Sequence, residues 1–322
     1  MNLFDDNSPS RPDELSQLTL SGSSPASRPE NASLPPSQDA PTLPGDPFPL
    51  ATIAPPAFLP RPAQSTLPED LRISWSWLHF FLFIPFGFFS LILIQMAFAI
   101  YYAPTHHFAN EKDFERFVLS KPAFAIGSML LWYAFIFLFL YVTLSVLRGN
   151  PFWRTLGWRK ISGPGGTPGR SPWLYFLVGC GISFAVSIAT YKMQPPEHVP
   201  IEELFRYKNT AMLFVAMAVL VAPLVEETVF RGYLYPLFAK TFGVAFSVII
   251  TGVLFGLMHG AQLGWTWGLV SVLIVVGIIF TFVRARTGSV FASFLLHLGY
   301  NSMIALSTIL VTQGFTKLPS PH

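Results

Sequence analysis

Between positions 73 and 311 this chain carries one apolar run after another, most of them close to the twenty residues that a helix needs to cross about 30 Å of hydrocarbon. The runs cover roughly 73–102, 124–147, 173–191, 211–238, 244–259, 263–283 and 290–311. A segment of that length satisfies its backbone hydrogen bonds in lipid as an α-helix. The expected fold is therefore all-α, a polytopic transmembrane helical bundle of seven spanning helices, or eight if Pro85 breaks the first run. Composition agrees, since charged residues make up 11% of the chain where soluble domains carry about 25%.

The ends of these runs suggest an orientation. The loop 148–172 holds Arg148, Arg154, Arg159, Lys160 and Arg170 without one acidic residue, which places it in the cytoplasm by the positive-inside rule, and Arg284 and Arg286 agree. Counting seven spans then puts the N-terminal tail in the cytoplasm, the loops around Glu111 and Glu202 on the far side, and the C-terminus there too. The expected location is the cell membrane. Trp75, Trp77, Tyr101, Tyr102 and Trp173 sit where an aromatic belt belongs. His79, His106, His107 and His198 read as interfacial, and Gln95 as an interhelical hydrogen bond.

Residues 1–70 are rich in Pro, Ser and Ala and hold nine of the seventeen acidic residues. Such a composition cannot bury enough surface to offset chain entropy, so a disordered tail is expected, and it lacks the basic and apolar regions of a secretory signal. Residues 71–204 form accessory helices with a flexible Gly/Pro-rich loop at 148–172, and 205–314 form the domain expected to carry the chemistry. The lone cysteine, Cys180, rules out an internal disulfide and a Cys-based metal cluster. Basic residues gather at segment ends rather than in a stripe with interleaved aromatics, so nucleic acid is not an expected partner. The lipid bilayer is.

From Phe205 onward the only side-chain carboxylates are Glu226 and Glu227, and the other ionisable groups within the surrounding apolar runs, tyrosines aside, are Arg231, His259 and His297. Each such group costs on the order of 2.5–3.5 kcal/mol at membrane depth, so these residues are where function is to be sought. Glu227 and Arg231 are four apart on one helical face and are expected to pair. Glu226 points about 100° away and is left as a general base. A purely structural ion-pair node would leave one acid too many, because one Arg neutralises one carboxylate. His259 ends an apolar helix between glycines, and His297 shares a face with Asn301. Together they can activate water through Glu226 and His259 and stabilise an oxyanion through His297 and Asn301. Equally, Glu226, His259 and His297 are a ligand set for a divalent metal such as zinc.

The motifs Glu-Glu-x-x-x-Arg at 226–231, Phe-x-x-x-His at 255–259 and His-x-x-x-Asn at 297–301, in that order on separate apolar helices, resemble the CPBP family of intramembrane proteases, also called the Abi or type II CAAX prenyl endopeptidase family. The resemblance implies an all-helical core that cleaves a peptide bond of a membrane-associated protein or peptide. It assigns water activation to Glu226 and His259, oxyanion or metal binding to His297 and Asn301, and support to Glu227 and Arg231. Both metal-dependent and metal-free mechanisms have been argued for the family. Two other classes compete on sequence grounds: a proton-coupled carrier, against which the absence of repeated halves speaks, and a non-catalytic scaffold on the protease fold.

Overall fold

The computed structural model describes residues 68–106, 108–161, 169–192 and 200–317. The tail up to residue 67, His107, His198 and most of the Gly/Pro-rich stretch of the 148–172 loop lie outside the described residues. Among the described residues all regular structure is helical. Six helical stretches are long and apolar enough to span a membrane. They are α1 (Trp77–Tyr102), α3 (Pro122–Leu140) continued by a π-turn over Tyr141–Val146, and α5 (Pro172–Thr190). The stretch Lys208–Phe242 follows, then α10 (Trp267–Thr287) and α11 (Val290–Val311). α9 (Val244–Met258) is apolar but shorter. Two minor helices, α2 (Glu111–Ser120) and α4 (Phe152–Thr155), sit in the connections. Pro85 lies inside α1 without dividing it, so the alternative eighth span does not form.

Lys208–Phe242 is the stretch that matters most, and it is not one regular helix. It consists of α6 (Lys208–Leu220), α7 (Ala222–Glu227), a π-helical segment Thr228–Leu234, and α8 (Tyr235–Phe242). Pro223 and Pro236 stand near the starts of α7 and α8, where a missing N–H costs least.

Two glycine seams bring helices into backbone contact, which is how helices pack where lipid supplies no hydrophobic drive. In α9, a Cβ on Gly252 or Gly256 would fall within 2.5–2.6 Å of the Ile278 or Ile274 backbone nitrogen of α10. Between α5 and α11, a Cβ on Gly179 would meet the Leu296 carbonyl oxygen at 2.0 Å, and one on Gly299 the Phe176 carbonyl oxygen at the same distance. α5, grouped by sequence with the accessory helices, is thus packed on α11, which carries His297 and Asn301. α3 packs on α1 and on α6.

A buried cluster including Leu140, Leu144, Leu156, Tyr233 and Phe255 ties α3, the loop after it, the π-segment and α9 together. Two expectations fail here for one reason: α1 begins against this π-segment rather than among headgroups. Trp75 is 2% exposed and donates its indole N–H to the Tyr233 carbonyl at 3.2 Å, so it is core rather than belt. His79 is also buried, with Nδ1 2.7 Å from the Tyr233 hydroxyl and Nε2 2.7 Å from Thr143 Oγ1. Tyr101 and Trp173 are exposed at helix ends, and Gln95 Nε2 donates to Ser128 Oγ at 3.3 Å as expected. At the arginine-rich end the chain before α1 is pinned by ion pairs: Asp70 to fully buried Arg284 at 2.9 Å, and Glu69 to Arg154 and Arg159 at 3.2 and 3.3 Å.

Candidate functional site

All six residues singled out by sequence come from Lys208–Phe242, the end of α9, and α11, and five of them meet around two carboxylates. Glu227 and Arg231 form the expected pair at 3.0 Å, both side chains fully buried. The π-helical winding keeps positions 227 and 231 on one side. Arg231 is satisfied all round. Its Nε donates to Thr281 Oγ1 at 3.2 Å, one terminal nitrogen to Glu227 and the other to the Gly277 carbonyl at 2.9 Å, both outside partners lying on α10. Its guanidinium lies 4.4 Å from the Phe255 ring centre. Stacking and a planar fork of donors are what Arg offers and Lys does not.

Glu227 Oε1 accepts a second hydrogen bond, from His297 Nδ1 at 3.0 Å. His259 Nδ1 stands 2.8 Å from the Phe255 carbonyl. A carbonyl only accepts, so His259 carries its proton on Nδ1, and an ionised carboxylate imposes the same tautomer on His297. Both rings therefore turn Nε2 toward the second carboxylate: Glu226 Oε2 lies 3.9 Å from His259 Nε2 and 3.8 Å from His297 Nε2. That oxygen is buried and has no hydrogen-bond partner among the described residues. Sequence placed Glu226 off the ion pair; the structure turns it toward the two imidazoles.

Two lone pairs and a carboxylate are all acceptors, so the set calls for a donor or a cation between its members. Two ligands at 2.0–2.2 Å from a tetrahedral zinc ion stand about 3.3–3.6 Å apart. The spacings of 3.8 and 3.9 Å are wider, and among the described residues no group of three His, Cys, Asp or Glu has metal-holding geometry. As placed, Glu226, His259 and His297 do not fit zinc. A gap of that width between polar atoms does fit one bridging water.

Asn301 reaches the same place with part of its amide committed, since Nδ2 donates to the Ala218 carbonyl of α6 at 2.8 Å. A second N–H and the amide oxygen remain. Glu226, His259, His297 and Asn301 line the polar end of a cavity of about 360 Å³ whose walls are otherwise mostly apolar. Through it Glu226 and His259 are each about a fifth exposed.

The cavity also admits residues that motif reading passed over. Tyr133 of α3 lines it together with Glu226. Nothing in spacing singles out a tyrosine on a helix with no other ionisable group, so no sequence signal pointed to it. Trp158, after α4, supports the site from behind by donating to Thr228 Oγ1 at 3.1 Å, next to Glu227.

Residues 208–303 match the family model described as type II CAAX prenyl endopeptidase Rce1-like. The matched segment contains all six singled-out residues and excludes α1, α3 and α5, so Tyr133 and Gly179 lie outside it. The Rce1-like match agrees with the family that the three motifs resemble, and it supports a membrane-embedded peptidase in general. Comparison with curated proteins and with solved structures gave no match.

Proposed function

We propose that this chain is an intramembrane endopeptidase that hydrolyses a peptide bond of a membrane-associated protein or peptide with a water molecule activated by Glu226 and His259. The observation that carries the reading is the convergence of Glu226 Oε2 and two imidazole Nε2 atoms at 3.8–3.9 Å on the polar end of an apolar cavity. A water held there donates to Glu226 and to His259 Nε2, which frees its oxygen lone pair to attack a carbonyl carbon. One proton passes to Glu226 as the C–O bond forms. The second N–H of Asn301 faces the developing oxyanion. His297, its Nδ1–H held by the Glu227 carboxylate, is fixed in orientation with Nε2 toward the same place, an orienting role that a carboxylate behind an imidazole plays elsewhere. Collapse of the tetrahedral species breaks the C–N bond, and Glu226 returns its proton to the leaving amine. Arg231 neutralises Glu227 and leaves Glu226 as the free carboxylate of the site.

The test compares membrane proteomes of cells holding the parent or Glu226→Gln, followed by cleavage of an identified substrate in liposomes. Glu226→Gln and His259→Gln should each reduce turnover by about 10²–10⁴-fold while the folded bundle persists. Glu226→Gln should even unfold slightly later, because it removes a buried charged oxygen without a partner. Full turnover by both variants would falsify the assigned roles.

A further inference from the structure

A second cavity, of about 480 Å³, lies where α5 and α11 begin, and Arg159, Lys160, Arg170, Ser171, Pro172 and Phe291 are among the residues that line it. Its described walls hold three cations and no acid. The neck of the loop between the cations is pinched: Gly169 lies so close to the Ile161 carbonyl that a Cβ there would overlap it, which holds Lys160 and Arg170 to one place. The residues between Ile161 and Gly169 carry no charge in sequence, so they add no acid to balance the three.

The acids at this end of the bundle are already engaged. Asp70 pairs with Arg284 at 2.9 Å, and Glu69 is shared between Arg154 at 3.2 Å and Arg159 at 3.3 Å. One carboxylate offsets one of those two arginines. Lys160 and Arg170 are exposed and have no ion-pair partner among the described residues. The Nε of Arg159 is buried without a hydrogen-bond acceptor there, although its Nη1 reaches Glu69. A buried donor of that kind calls for an acceptor. Ser171 caps no N–H of α5 with its side chain, so the first turn of a 19-residue helix adds open donors and the positive end of its dipole at the edge of the cavity.

The position narrows the ligand. α5 and α11 pack on each other through Gly179 and Gly299, and both begin here, where two spanning segments leave the membrane. Trp173 beside Pro172 is 72% exposed, as an interfacial anchor is, and Leu174, Leu177 and Val178 continue an exposed apolar flank that acyl chains can follow. The anionic group at that level is phosphate, which Arg and Lys bind through charge-assisted hydrogen bonds, and basic pockets between spanning helices take lipid headgroups in this way. Trp158, which also lines the cavity, donates to Thr228 Oγ1 next to Glu227, so a single side chain separates this cavity from the hydrolytic one.

We propose that this cavity is a phosphate site at the membrane boundary, filled by the headgroup of an anionic phospholipid or by free phosphate. The test melts the full chain in dodecyl maltoside micelles, followed by circular dichroism, while dioleoyl phosphatidylglycerol, dioleoyl phosphatidylcholine or inorganic phosphate is added. A ligand of the folded state raises the midpoint. Phosphatidylglycerol should raise it more than phosphatidylcholine, which carries the same phosphate beneath a cationic cap. In Lys160→Gln/Arg170→Gln, half of that rise should need about 20-fold more phosphatidylglycerol, the joint effect of two such charges. Lys240→Gln/Arg286→Gln removes as much charge from the same end outside the cavity and should respond like the parent. A rise with inorganic phosphate beyond that with sodium chloride at equal ionic strength makes free phosphate a sufficient occupant, and a rise with phosphatidylglycerol alone makes it the headgroup; either supports the site. Equal responses to the two lipids without a response to phosphate, a parent-like response of Lys160→Gln/Arg170→Gln, or equal losses in the two double variants overturns it. Lys160→Gln and Arg170→Gln are also melted singly, so that a double variant that fails to fold leaves the result readable. No turnover is measured, so loss of the peptidase reading and loss of this one are separately visible.

Discussion

Arg231→Met tests whether the buried Glu227–Arg231 pair is held for its charge balance or for its hydrogen bonds. The substitution removes one ion pair, two further hydrogen bonds and a stacking contact with Phe255. The hydrogen bonds to α10 are the smaller part. The Gly277 carbonyl still accepts from Thr281 Oγ1 at 2.7 Å, so neither α10 partner is orphaned. What dominates is Glu227, left as a fully buried carboxylate without its cation although the His297 Nδ1–H still donates to it, and stranding such a charge costs about 3–5 kcal/mol. Glu227→Gln alone strands the guanidinium and should cost a similar amount. The double variant removes both charges and should lie within about 1–2 kcal/mol of the parent, a coupling of several kcal/mol. SDS titration in mixed micelles, followed by far-UV circular dichroism, measures all four proteins. If the double variant loses the sum of the two singles, the two side chains are not energetically a pair and the reasoning fails.

Other outcomes follow from the same geometry. Asn301→Ala should lower turnover by about 10²–10³-fold as an oxyanion donor is lost, with a stability loss near 1 kcal/mol from the bond to Ala218; unchanged turnover would remove Asn301 from the chemistry. Gly179→Ala and Gly299→Ala must push α5 off α11, since their Cβ atoms would meet carbonyl oxygens at 2.0 Å. Each should cost about 1–3 kcal/mol and reduce activity through displaced His297, and parent-like SDS titration curves would contradict that. Asp70→Asn should destabilise the bundle by up to about 3 kcal/mol, because Arg284 is fully buried and Asp70 is its carboxylate; a parent-like unfolding midpoint would show that Arg284 is neutralised otherwise.

The bundle was legible because each spanning run announces itself by length and lack of charge. The pairing of Glu227 with Arg231 was legible because a four-residue spacing survives both α- and π-helical winding. Sequence did not show which way Glu226 faces, because that depends on where α9 and α11 stand. His79 and Trp75 were misplaced because both lie near the start of an apolar run, where burial against a distant segment and exposure to headgroups give the same local pattern. The run starting at 263 begins as helix only at Trp267, since the Gly260–Trp265 stretch closes a turn that apolarity alone does not reveal.

The π-helical segment Thr228–Leu234 gives the chain a tolerance that the helices around it lack. A π-turn holds one residue more than regular winding requires. Deleting one residue there lets the helix relax to ordinary winding with the downstream face nearly in phase, whereas the same deletion in a regular helix such as α10 turns everything beyond it by about 100°. Tyr235 would stay beside the Arg284 guanidinium and Phe238 on Trp77. Across this stretch a missing letter can be absorbed where elsewhere in the bundle it garbles the rest of the line.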